Sequence, residues 1–431
     1  MWNGREATHR SVVGLLAFQS VRWKKLITEI QKGAEVRVRL SDGEFDRRRK
    51  AIQAEMEKRS LDALCVFSPT QVFYLTGFSF IATERPIAAL YRPEEDSALL
   101  FVPLLEVEHA EEAHIDIVRT YDEYPGKEHP MKHFVRLLFD LGLEDSRIGV
   151  DANGYAGGYG YVGPQLNELI SGGIVAAKDL IERLMWIKSD EEIDLIRESC
   201  KWGNLAHHLL QQYTAPGLAE TDISFRASHA ASMQMLDTLG PEYRSMRFGS
   251  LPAHADFRGQ IGTQSAIPHS ITTNAILNVG DVLVTGAASE VGGYLSELER
   301  TMILGPPTEE QRRFFNLMLG MQELAFESIR PGVRCSDVDC AVSDYYQRHD
   351  IVKHWRHHTG HGIGYGMHEA PFLDVGDDTP IERGMVLTIE PGIYVPGFAG
   401  FRHSDTVLVT DAGIEILTPY PRDLDSLVIP V

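Results

Sequence analysis

Cysteine is scarce in this chain. Its 431 residues contain four, Cys65, Cys200, Cys335 and Cys340, and only the last two are close. They do not make the paired C-x-x-C spacing of a zinc site. Few, scattered cysteines fit a reducing compartment, so a cytoplasmic protein is expected. Positive charge is also short, with 41 Lys and Arg against 61 Asp and Glu and a net charge of −20. Such a surface repels a phosphate backbone and argues against a nucleic-acid partner. It suits a cationic or zwitterionic small molecule, or simply solubility. No apolar run reaches the roughly 18 residues that a membrane span needs. A short one, Val12 to Phe18, follows Arg5 and Arg10 but lacks an A-x-A cleavage site. Residues 1–40 are therefore read as an N-terminal extension, and no membrane partner is expected. Internal repeats and low-complexity tracts are absent.

What remains is ordinary globular composition, 43% hydrophobic and 24% charged, at a length that suggests two domains. Ser41 and Glu44 form a capping-box pattern, and Phe45, Ile52 and Met56 continue it at near-helical spacing. Ala63–Phe67, Ile87–Tyr91, Ala98–Val102 and Ile148–Val150 read as strands. Strands alternating with helices predict a small α/β domain over residues 41–184. Ser189 and Glu192 open a second helix, with Ile193, Ile196 and Cys200 on one face, and Thr308 and Gln311 open a third. The boundary is placed near residue 185, with a larger domain over 185–431. The Gly-rich stretch 154–160 has no following lysine and is read as a flexible turn.

The larger domain carries a dense set of polar motifs. His357-His358-Thr359-Gly360-His361-Gly362-Ile363-Gly364 is followed by His368-Glu369-Ala370-Pro371. Ile389-Glu390-Pro391-Gly392 and Arg402-His403-Ser404-Asp405 come next. Gly280-Asp281, Gly293-Tyr294-Leu295-Ser296 and Arg300-Thr301 precede them, and Tyr74-Leu75-Thr76-Gly77-Phe78 lies in the smaller domain. In this order and spacing, from about residue 45 to the C-terminus, the motifs resemble the pita-bread hydrolases. That family includes methionine aminopeptidase, Xaa-Pro peptidases and creatinase. The resemblance implies an α+β pita-bread catalytic domain of two halves around a curved antiparallel sheet. A smaller α/β N-terminal domain precedes it, and a homodimer is implied.

In the family's peptidases two divalent metals sit among two Asp, one His and two Glu. Carried over one by one, these positions fall on Gly286, Glu297, His361, Glu390 and Ser404. Two carboxylates are gone and a third is longer. Two divalent ions carry four positive charges, and this set is too poor in carboxylate to bridge them. No cofactor is therefore expected; the alternative is one divalent ion (Mn, Co or Zn) on Glu297, His361 and Glu390. The pattern leans toward creatinase, which works without metal. Its site residues match Glu299, His269 and Glu390, and its partner-subunit arginine matches Arg85 in Glu84-Arg85-Pro86. Thr83 and Leu295 stand where creatinase has aromatic residues, and Glu297 remains where it has no carboxylate.

Three readings follow. The first is a metal-independent creatinase-like hydrolase that cleaves a C–N bond in a small cationic or zwitterionic carboxylate-bearing compound. Glu299 and Glu390 would hold an amidine-like carbon by charge-assisted hydrogen bonds, and His269 would move the proton. His361, His368, Glu297 and Arg85 would bind substrate. The bland alternatives are a salt bridge from Glu299 to Arg300, a loop role for His269 and a surface role for Arg85. The second reading is an Xaa-Pro dipeptidase or aminopeptidase with a reduced divalent-metal site. The third is a catalytically silent binding module on the same fold.

Overall fold

Helix starts follow the local code. Ser189 Oγ accepts the Glu192 amide at 3.3 Å, and Glu192 accepts the Ser189 amide at 2.8 Å, opening the helix Asp190–Tyr213. Thr308 and Gln311 do the same for Glu309–Ser328. Ser41 forms only half of its box, at the helix Asp42–Lys58. It accepts the Glu44 amide, but the Glu44 carboxylate turns to Arg47 and Arg48. A guanidinium outbids a backbone amide because its hydrogen bonds are charge-assisted. The computed structural model describes residues 36–95, 97–155, 160–246 and 251–431. The apolar run 12–18, most of the extension, the heart of the Gly-rich turn and residues 247–250 lie outside the described residues.

The smaller domain is a six-stranded mixed sheet between helices. Its strands are β1 (Ala63–Val66), β2 (Ala88–Tyr91), β3 (Leu99–Pro103), β4 (Ile117–Tyr121), β5 (Arg147–Val150) and β6 (Gly173–Ala176), in the order β4-β3-β2-β1-β5-β6. Strand side chains alternate between faces. Leu64 and Val66 therefore join Ile52, Met56 and Leu180 in one core, while Ala63 and Cys65 join Phe134 and Leu138 in the other.

The larger domain is built on an antiparallel sheet. Its strands are β7 (Ala253–Asp256), β8 (Val282–Val291), β9 (Tyr294–Leu295), β10 (Leu298–Leu304), β11 (Gly360–Gly362), β12 (Glu369–Leu373), β13 (Val386–Ile389), β14 (Gly392–Val395), β15 (Ala399–Arg402) and β16 (Ser404–Thr410). The main path runs β12-β11-β13-β16-β10-β8-β7, with β9 paired to β8, while β14 and β15 form a separate two-stranded sheet. Helices Asp190–Tyr213 and Glu220–Leu239 pack on β7 and β8. Helices Glu309–Ser328 and Cys335–Arg348 pack on the β11–β15 side. Each half thus supplies two helices and one wing of the sheet. Arg48 links the two domains. Fully buried, it donates to Glu44, the Tyr74 carbonyl and the Tyr294 hydroxyl, and lies 3.1 Å from Glu192. Among the described residues, no helix is long and apolar enough to cross a membrane.

Candidate active site

Sheet register assembles the polar residues into one row. Asp256 of β7 pairs with Gly286 of β8, Gly286 with Glu299 of β10, and Glu299 with Ser404 of β16. Directly paired residues share a face, and Glu297 lies two positions before Glu299, so it shares that face too. The opposite face is riveted by Arg300, which is fully buried. It donates to the carbonyls of Glu299, Ser404, Tyr420 and Pro421 and to Asp405 Oδ1 at 2.7 Å. Gln322 and Thr418 also donate to Asp405. The backbone under the row is thereby fixed from behind.

Glu297, His361 and Glu390 converge, with one donor atom of each within 4.8 Å of the others. The His361 ring is set by its own chain: Nδ1 lies 2.9 Å from the Gly362 carbonyl. An Nδ1–H donated there leaves the Nε2 lone pair free for a cation. Nε2 is buried, 3.2 Å from Glu390 Oε1, yet off the hydrogen-bonding direction and without a hydrogen-bond partner. Burial, then the charges of Glu390 and Glu299, push the Glu297 carboxyl up to about 7. Burial opposes a proton on His361, but Glu390 and Glu297 outweigh it and raise the imidazole to about 9, so a metal ion at Nε2 would take the place of a proton. Burial likewise opposes charge on Glu390, but His361 and Arg402 hold it well below the usual carboxylate range. Two carboxylates and one imidazole with an orphaned nitrogen fit one divalent ion and neutralise its charge. Among the described residues, a second ion has no comparable set. Ser404 Oγ donates to Glu297 Oε1 at 2.6 Å, and Gly286 offers no side chain. A Cβ built on Gly286 would meet the Arg258 guanidinium at 3.5 Å.

Glu299 is already engaged. Arg402 donates to both of its oxygens, through Nε and, at 2.7 Å, Nη2, while Arg258 Nη2 donates to Oε1. Burial would raise its pKa; the two arginines outweigh burial and lower it. Arg402 spends its remaining arm on the Tyr394 hydroxyl at 2.9 Å and the Pro268 carbonyl at 3.4 Å. The neighbouring Arg300 points through the sheet to Asp405, so it is not the partner of Glu299.

The other residues that the sequence singles out are scattered around this core. His368 stacks on His361 with ring centroids 3.7 Å apart, and is exposed at the mouth of the site. Burial of its ring, then the positive charge of His361, His358 and His269, lowers its pKa. His269 is exposed on the loop beside it. Arg85 stays in the smaller domain, where it donates to Glu84 and Glu123. His357 bonds the Tyr394 hydroxyl at 2.8 Å. His403 turns away from Ser404 and packs edge-on against Phe315. Residues that the sequence does not single out also matter. Arg258, Arg402 and Tyr394 shape the site, and Glu220 accepts the amides of Gly259, Thr273 and Ala275 to pin the loop that carries Arg258 and His269. Of these, only Arg402 lies inside one of the sequence motifs.

Residues 194–411 match the model of metallopeptidase family M24. The chain belongs to that family. Residues 48–183 match the creatinase/prolidase N-terminal domain. The M24 chain is 28% identical over 379 residues to an Xaa-Pro dipeptidase of Pyrococcus horikoshii, covering 87% of this chain and 97% of that one. The crystal structure of the prolidase from Pyrococcus horikoshii OT3 superposes with a TM-score of 0.72 at 28% identity, over 88% of this chain and 99% of that one. The dipeptidase PepE of Mycobacterium ulcerans superposes with a TM-score of 0.76 at 25% identity, over 91% of this chain and 100% of that one. The fold is thus the pita-bread catalytic domain with a smaller α/β N-terminal domain.

Two expectations are corrected. The metal-independent creatinase-like reading does not stand. The relatives are Xaa-Pro dipeptidases, and the Glu299 carboxylate meant to hold an organic cation is occupied by two guanidinium groups of the chain itself. The expectation of no cofactor also fails, because the family is one of metallopeptidases and three donors converge as a ligand set.

Proposed function

We propose that this M24 chain is an Xaa-Pro peptidase, a dipeptidase or aminopeptidase, that works with one divalent ion instead of two. The observation that carries the reading is the convergence of Glu297, Glu390 and the orphaned Nε2 of His361. Those three residues would hold Mn, Co or Zn. The chemistry such an ion supplies when bound is Lewis acidity toward a carbonyl oxygen and toward water.

The chain's own groups account for the proton. Hydrolysis adds water across the bond between the Xaa carbonyl carbon and the proline nitrogen. Water gives up one proton, and the departing nitrogen must receive one. Glu390, ionised, takes the proton from water. His368 and His269 stand at the mouth, and neutral His368 takes that proton on from Glu390 as it gives one to the nitrogen, so both groups end as they began. Glu299 anchors Arg402 and Arg258, whose fixed positive charges stand where the missing carboxylates leave no place for a second ion. Arg85 has no task here within one protomer. A homodimer and a cytoplasmic location complete the reading; light scattering of the purified chain tests the first.

The deciding experiment removes metal with a chelator and returns Mn, Co or Zn in steps. Proline release from Ala-Pro and Leu-Pro is measured together with bound metal. One ion per chain restoring turnover is expected, with both lost in Glu390→Gln and His361→Ala. No proline release with any of the three metals overturns the reading.

A further inference from the structure

Two arginines reach the site, but only one has capacity to spare. Arg402 is 3% exposed and spends its donors on Glu299, Tyr394 and Pro268. Arg258 is 36% exposed, and among the described residues its one hydrogen-bond acceptor is Glu299. Its Nε is buried without a partner, with Asp256 Oδ1 no nearer than 4.0 Å.

The backbone works to keep Arg258 in place. Its φ is +49°, a left-handed conformation that costs a non-glycine residue roughly 1–2 kcal/mol. Gly259 follows at φ +68°, where an added Cβ would lie 2.0 Å from the Ile271 carbonyl oxygen, so the turn admits only glycine there. The Gly259 amide is held by buried Glu220 at 2.9 Å. A strained, doubly anchored turn that aims a guanidinium over Gly286 is an outlier that asks for a task.

Exposure names the task. Glu297 and Glu390 would balance one divalent ion, Glu299 pairs with Arg402, and Asp256, its Oδ1 4.0 Å from Nε, lies against Arg258. Arg258 is the arginine that is partly exposed, and the edge turned away from Glu299 presents N–H donors, a match for a carboxylate. We propose that Arg258 is a specificity-determining residue of the site, receiving the free carboxylate of the substrate and favouring dipeptides over longer or amidated chains. This rests on the Xaa-Pro reading for the identity of the substrate, but not for the carboxylate preference.

The test uses the full chain as purified and probes it cannot cleave. L-Proline and L-prolinamide are titrated by saturation-transfer NMR into the wild type, Arg258→Ala and Arg258→Lys, with thermal melts to confirm folding. Expected is at least tenfold tighter binding of proline than of prolinamide by the wild type. In Arg258→Ala the preference falls to under twofold through weaker proline binding, with Arg258→Lys between the two. A wild type that binds neither probe, or that does not prefer proline, overturns the proposal, as does an Arg258→Ala variant that keeps the preference. Proline release from Ala-Pro is followed separately. Carboxylate preference without peptide cleavage sinks the Xaa-Pro reading alone, and cleavage without an Arg258-dependent preference sinks this proposal alone.

Discussion

Restoring the lost carboxylate at position 286 tests the proposal that the site takes one ion. Gly286→Asp returns the family's ligand type to the row Asp256, Gly286, Glu299, Ser404. The ideal Cβ there sits 3.5 Å from Cζ, Nε and Nη2 of Arg258, an ordinary contact, so the side chain fits. Its carboxylate, one bond further, meets the guanidinium first. Unit charges about 4 Å apart at an effective dielectric near 20 interact by about 4 kcal/mol. A divalent ion placed as near to Arg258 is repelled by about twice that. Halving this for the partial exposure of Arg258 leaves roughly 4 kcal/mol, close to 1,000-fold in affinity. Gly286→Asp alone is therefore expected to stay at one ion per chain. The double variant Gly286→Asp with Arg258→Ala gains a second, weaker ion. Bound metal per chain, counted after equilibrium dialysis at fixed free Mn, gives the answer. A second ion of full occupancy in Gly286→Asp alone refutes the electrostatic account.

Three further outcomes are expected. Arg300→Met strands Asp405 beneath the site, so urea unfolding should show a loss of about 3–5 kcal/mol; a loss under 1 kcal/mol shows that the rivet carries little. Glu220→Ala frees the turn at Gly259, so kcat/KM should fall roughly 10- to 100-fold while bound metal stays near wild type, and the three amides left without an acceptor should lower the melting temperature; unchanged kinetics show that the loop holds itself. His207 and His403 are fully buried, and burial, then the charge of Arg300, holds both imidazoles neutral. Their folded pKa values lie below the unfolded value near 6.5, so their contribution is intact above 6.5. It is lost as pH falls, when only the unfolded chain takes up protons. Together they should remove roughly 2–3 kcal/mol between pH 7 and 5.5, and His403→Leu should halve that slope in denaturant titrations.

The fold is legible because its signals are local. The boxes at Ser189 and Thr308 form as written, and the apolar runs beginning at Ala63 and Ala98 become strands. Glu297, His361 and Glu390 can be placed together because each sits in a motif at a fixed spacing. The partner of Glu299 cannot. The neighbour that the sequence offers, Arg300, is next in the strand and for that reason points through the opposite face. The true partners come from β15, 103 residues on, and from a turn 41 residues earlier. Arg258 lies in the turn after β7, where no periodicity says which way a side chain turns. Its left-handed backbone is invisible in sequence, since arginine is a poor predictor of positive φ. On charge alone, the loss of carboxylates leaves a vacancy for an organic cation. That expectation fails because cations built into the chain fill the vacancy first.

Exchanging a metal ion for arginine changes more than the count of charges. A guanidinium cannot be chelated away and keeps its charge throughout the physiological pH range, so half of the site's positive field is permanent. It cannot lower the pKa of water, however, and its directional donors serve one partner geometry well and others badly. On the proposed reading, water activation would be left to the single ion that Glu297, His361 and Glu390 would hold, while the arginine pair is confined to holding charge in place. A site divided in this way should lose turnover but not carboxylate binding when metal is withdrawn. In a two-ion site, where the same cations serve both tasks, the two should fail together.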